Sequence, residues 1–156
     1  MSEPGAGVSP LLAVLFSSVG FFALLIAGLG VVSLLTGADV LAVPGLGQVP
    51  GVVGTAASVI VFAATTWRVV RRRPARYGSV AVVVIATFLA YLFGVLVGAV
   101  FAGVDFAAAL SAAGGFATSW FALVLASAAF VAAWSAVALV RTKAHRPQWP
   151  WEHDEP

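Results

Sequence analysis

From Pro10 to Leu35 no residue carries a charge, and three further stretches, about 49–70, 80–104 and 116–140, are nearly as apolar. Each is longer than the roughly 20 residues that an α-helix rising 1.5 Å per residue needs to cross a hydrocarbon core about 30 Å thick. Buried helices of soluble proteins seldom run this long without a polar face. Charged residues make up only 9% of the 156-residue chain. A soluble domain carries roughly 25%, so this chain cannot wet its own surface and lipid must solvate it. The expected fold class is all-α: a polytopic membrane protein with four transmembrane helices. A 1–9 N-terminus, a 10–140 transmembrane domain and a 141–156 tail follow. The first apolar run exceeds a signal-peptide core and has no basic residue before it, so the first helix is expected to be retained.

The positions of the basic residues orient that bundle. Arg68, Arg71, Arg72, Arg73 and Arg76 lie between the second and third stretches, and Arg141, Lys143 and Arg146 follow the fourth. With four spans those two places fall on one side. The other two connections have no Lys or Arg, which is the asymmetry of the positive-inside rule. The basic loop and both termini are therefore expected in the cytoplasm, and the eight basic residues are read as topology determinants. A nucleic-acid role for the arginine run is not expected, because net charge is only +2 and the run is one tight loop. Contact with anionic lipid head groups comes with the topology.

Several chemistries are excluded or disfavoured. There is no cysteine, which removes disulfides and thiolate metal sites. Both histidines, His145 and His153, lie in the tail. No span has an ionisable group in its central part, where such groups mark proton relays and transport pathways. No phosphate loop, nucleophile elbow or paired carboxylates occur. No enzyme activity and no cofactor are expected.

Helices in lipid associate through close backbone approach and polar contacts. In the third span Ala86, Ala90, Gly94, Gly98 and Ala102 place a small residue at every fourth position. This is the principal candidate for helix packing, and Val95, off the stripe, is expected to accept isoleucine silently. A looser alanine series runs along the fourth span, and Thr55, Ser58, Thr65 and Thr66 fall near one side of the second. Two functions remain open: a non-enzymatic accessory or scaffold component packing through small-residue faces against itself or a larger membrane protein, or a small transporter with a hydroxyl-lined path.

Offsetting the chain by 66 residues aligns TGADVLA at 36–42 with AGVDFAA at 102–108, and Gly28 with Gly94. The match suggests two tandem helical hairpins; low-complexity apolar sequence also matches itself by chance. It pairs Asp39 with Asp105, the only acids on the far side. If the halves meet about an axis normal to the membrane, the two carboxylates form a weak cation site. Otherwise each is ordinary turn chemistry.

The tail HRPQWPWEHDEP is extended by its prolines. Trp149, Pro150, Trp151 and Glu152 form either an interfacial anchor or a short motif for a cytoplasmic partner. This tail, the Ala/Val/Gly-rich helices and the basic loop resemble, along the whole chain, small uncharacterised four-helix membrane proteins of high-G+C Gram-positive bacteria, a family without assigned activity. The resemblance implies a multi-pass plasma-membrane protein.

Overall fold

A computed structural model describes residues 8–41, 47–72 and 77–141. Five helices are present among them: α1 (Pro10–Thr36), α2 (Val49–Arg71), α3 (Ser79–Phe101), α4 (Phe106–Ala117) and α5 (Trp120–Arg141). Four of these, all but α4, are long and apolar enough to cross a membrane.

Local chemistry sets the ends of α1. Ser9 is its N-cap, accepting a hydrogen bond from the Leu12 N–H at 3.3 Å, and Pro10 occupies the first turn, where a missing N–H costs nothing. At the other end Gly37 takes φ 63° and donates its N–H to the Ser33 carbonyl at 2.9 Å. A left-handed residue closes the helix there, and glycine does so without a Cβ penalty.

The spans form a ring in which α1 packs on α2 and α5, and α3 packs on α2 and α5, leaving α1 and α3 diagonally opposed. The tightest seam is α2 against α3. Across α1 and α2 the rings of Phe21 and Phe62, both fully buried, stack at 4.5 Å. Gly28 of α1 faces Val124 of α5, while Gly94 of α3 faces Gly54 of α2. A two-fold exchange of the halves would produce that correspondence. The halves differ, however, in α4.

The stretch between the third and fourth spans is where the structure departs from expectation. Residues 106–117 form a helix of their own, and the last span starts at Trp120, not Phe116. The reason is local. Asp105 caps α4 by accepting the Ala107 N–H at 2.9 Å, and the alanine-rich segment that follows has high intrinsic helix propensity. Helix α4 packs along α3, with Ala109 and Ala112 clustered on Ala99 and the Phe116 ring 4.4 Å from Tyr91. Ser119 then hydrogen-bonds the Phe116 carbonyl at 2.7 Å across the break into α5.

Candidate functional site

Three places gather the residues singled out by sequence: the seam of α2 and α3, the arginine end, and the end carrying the aspartates.

At the seam, Gly94 and Gly98 are buried, Ala86 and Ala90 are half-buried, and Ala102 is exposed just past the end of α3. A Cβ on Gly94 would lie 2.7 Å from the Gly54 Cα and 2.9 Å from the Val53 carbonyl oxygen. One on Gly98 would lie 2.8 Å from the Pro50 Cα. These are backbone contacts, so no side-chain rotation relieves them. The two glycines of the stripe are thus consumed inside the chain. Sequence reasoning named the α3 side of this seam and missed Pro50 and Gly54 on the α2 side, the start of a buried every-fourth-residue column that continues through Ser58, Phe62 and Thr66, with Phe62 turned to Phe21 of α1. The expectation for Val95 is corrected. It is fully buried, and its Cγ2 lies 2.8 Å from where a Gly54 Cβ would stand, because glycine draws α2 close enough to cover the neighbouring column too. An added methyl at Val95 overpacks the core.

The hydroxyls of α2 turn back on their own helix: Ser58 donates to the Thr55 carbonyl at 2.8 Å and Thr65 to that of Val61 at 2.7 Å. Thr66 and Thr87 are buried with no partner for their Oγ1 atoms.

At the arginine end, aromatic side chains order the cations. The Arg141 guanidinium sits over the Tyr77 ring, 4.7 Å from its centroid, and Tyr77 in turn tilts against Trp134 at 6.1 Å. Arg71 covers Trp67 at 5.1 Å. Such cation–π contacts contribute about 0.5–1 kcal/mol each when exposed. The Arg141–Tyr77 contact ties the end of α5 to the connection before α3, while Arg71–Trp67 lies within α2, and Arg68, Arg71, Arg72 and Arg141 share one end of the bundle. Arg73, Arg76, Lys143, Arg146 and the Trp149–Pro150–Trp151–Glu152 motif lie outside the described residues.

At the opposite end the two aspartates have different surroundings. Asp105 is occupied as the α4 cap. Asp39 lines a cleft of about 1190 Å³ between α1 and α2, whose walls include Phe22, Ile26, Val52, Ile60 and Tyr91, and Gln48 lines the same cleft. No group of three or more potential metal ligands occurs among the described residues. Asp105→Ala should therefore lower stability by about 1 kcal/mol through the lost cap. Asp105→Asn should restore most of it, with or without calcium, in thermal melts in detergent. A calcium-dependent shift abolished by Asp105→Asn would assign the carboxylate to cation binding instead.

One further feature escaped the sequence. On α1 the side turned away from the bundle carries Gly20, Ala23, Ala27 and Gly30, the last three exposed, and no atom comes within 4 Å of a Cβ built on either glycine. Exposed Val19 and Ile26 flank this strip on one side, Leu24 and Val31 on the other. The outward faces of α3 and α5 instead bear large residues such as Ile85, Leu89, Phe93, Phe130 and Trp134. The i, i+3, i+7, i+10 spacing was legible in principle, but it needed the direction of the core to be read as outward.

A ring of four apolar spans with an uncharged interior and its described arginines at one end defines a polytopic helical membrane protein. The profile of the family of unknown function DUF6121 matches residues 8–156, and the chain belongs to that family. No match to a curated protein or to a solved structure is found.

Proposed function

We propose that the protein is a non-enzymatic accessory or scaffold component of a bacterial plasma membrane, with both termini cytoplasmic. It associates through the outward strip of α1 with a transmembrane helix of a second copy or of a larger membrane protein. The strip itself carries the reading. Glycine in a helix costs about 1 kcal/mol relative to alanine, and nothing among the described residues approaches Gly20 or Gly30 closely enough to require it. A shallow valley between two apolar ridges admits a second helix at short distance, which is how helices associate in lipid. The small-residue stripes of α3 and α5 are filled: α3 meets α2 through Gly94 and Gly98, and Ala129, Ala133 and Ala136 of α5 are buried in the bundle; among the spans, the α1 strip is left open. Orientation follows from the basic residues.

Transport along α2 and α3 has weaker support. Of the hydroxyls expected to line a path, Ser58 and Thr65 bond to their own helix and Thr66 is sealed in the core, leaving Thr55 alone on an open cleft.

The test is association in mild detergent or nanodiscs, read by molar mass and by co-eluting membrane proteins. Ala27→Leu and Gly30→Leu fill the valley at exposed positions. We expect both to lose the associated species while keeping the parent melting temperature. A monomer with no co-eluting membrane protein, indistinguishable from both variants, would overturn the reading.

A further inference from the structure

We propose that the cleft between α1 and α2 binds a zwitterionic phospholipid whose head group carries a primary ammonium, with the ammonium at Asp39 and an acyl chain along the apolar walls. This rests on different residues from the small ones of the α1 strip, although Ile26 borders both: the strip faces away from the bundle, whereas the cleft lies on the side turned to α2.

Three observations converge. The cleft, at about 1190 Å³, exceeds the roughly 300–1,000 Å³ of ordinary small-molecule pockets. Its charge is confined to one end, with Thr55 and Tyr91 the other polar side chains that line it. Phe22, Ile26, Leu29, Val59 and Ile60 make an apolar wall, while the charged and amide side chains, Asp39 and Gln48, sit where α1 ends and α2 begins. Ile26, Val52 and Ile60 are at least half exposed, so the cleft opens sideways, where a lipid chain can enter from the bilayer.

The charge at the mouth selects the head group. Asp39 makes no ion pair among the described residues, and no Lys or Arg lies between residues 1 and 67. In a bilayer the abundant mobile cation able to reach such a carboxylate while its tail stays in hydrocarbon is a lipid ammonium. A primary ammonium donates hydrogen bonds to a carboxylate, whereas a quaternary one has no N–H to give. The neighbouring phosphate has a counterpart as well. Gly51 lines the cleft in the first turn of α2, whose N-cap Gln48 makes no side-chain capping bond. Its backbone N–H belongs to the set left without intrahelical acceptors, at the positive end of the helix dipole. An anionic lipid without the ammonium meets Asp39 with repulsion. On the orientation proposed above, the lipid comes from the outer leaflet.

The experiment places the full chain in nanodiscs or vesicles of equal parts phosphatidylethanolamine, phosphatidylcholine and phosphatidylglycerol. Lipid retained after gentle detergent extraction is then quantified by native mass spectrometry. We expect phosphatidylethanolamine to be retained preferentially. Asp39→Asn should reduce that preference about tenfold, as for loss of one charge-assisted hydrogen bond, without altering the melting temperature. Ala56→Phe, at an exposed cleft position, should reduce retention of all three lipids. No retained lipid, equal retention of the three, or an Asp39→Asn protein that keeps the parent preference would each overturn the proposal. Association measured on the same Asp39→Asn sample should be unchanged, which separates this result from failure of the α1 reading.

Discussion

Gly94→Ile should abolish the folded bundle, the largest effect expected of any single substitution in this chain. The neighbour of Gly94 is the backbone of Gly54 and Val53, with a Cβ placed 2.7 and 2.9 Å from their atoms. Contacts that short have no side chain to move aside, so α2 and α3 must separate. Separation of even an ångström loosens the column of Pro50, Gly54 and Ser58 against Gly94, Val95 and Gly98 along the seam. Gly94→Ala, with one methyl, is expected to cost about 1–3 kcal/mol, the usual range for overpacking a dense core. The branched side chain of isoleucine exceeds what the remaining contacts can offset. Val82→Ile on the exposed side of the same helix is the control, since its methyl enters lipid. The measurement is helical circular dichroism during thermal melting in detergent, with size-exclusion recovery as a second readout. Equal behaviour of Gly94→Ile and Val82→Ile would mean that the seam is not the closest approach in the bundle.

The same seam shows what could be read from sequence and what could not. Four spans were legible because an uncharged run of this length has no other solvent available to it. The small residues of α3 were legible from their period. Their partner was not, since a stripe at one helix says nothing of which neighbour fills it. On α2 the visible polarity of Thr55 and Thr65 drew attention away from Gly54, though the buried column includes Ser58 and Thr66 as well. Val95 shows the limit of reading by face: when glycines bring two helices together, adjacent columns are buried too. The Asp105 cap followed by an alanine run was a sufficient local signal for α4, masked by the expectation that a connection between spans is a loop. The cleft had no sequence signal, because it depends on how α1 and α2 sit against each other, with Tyr91 of α3 behind them. Gly20 and Gly30 were visible as glycines, yet only the position of the core showed that they face outward.

Cysteine placed at Gln48 should react with a membrane-impermeant thiol reagent in intact cells, and cysteine placed at Gly78 should react only after the membrane is opened. The chain has no native cysteine, so each variant carries a single reporter. Both positions are exposed, and a Cβ at Gly78 meets nothing within 4 Å, so neither label tests the packing by accident. The expected contrast is all or none because the bundle leaves no ambiguity of sides. Arg141 lies over Tyr77, next to Gly78, while Gln48 begins α2 at the opposite end. The basic residues then decide which end stays inside, since moving several arginines across a bilayer costs far more than moving the connection that ends at Gln48, which holds one aspartate and no basic residue. Packing reinforces the bias: Arg71 over Trp67 and Arg141 over Tyr77 hold cations beside aromatic rings of the kinds enriched at membrane interfaces. Reversed labelling would invert the orientation, put Asp39 and its cleft in the inner leaflet, and leave the packing of α2 on α3 untouched.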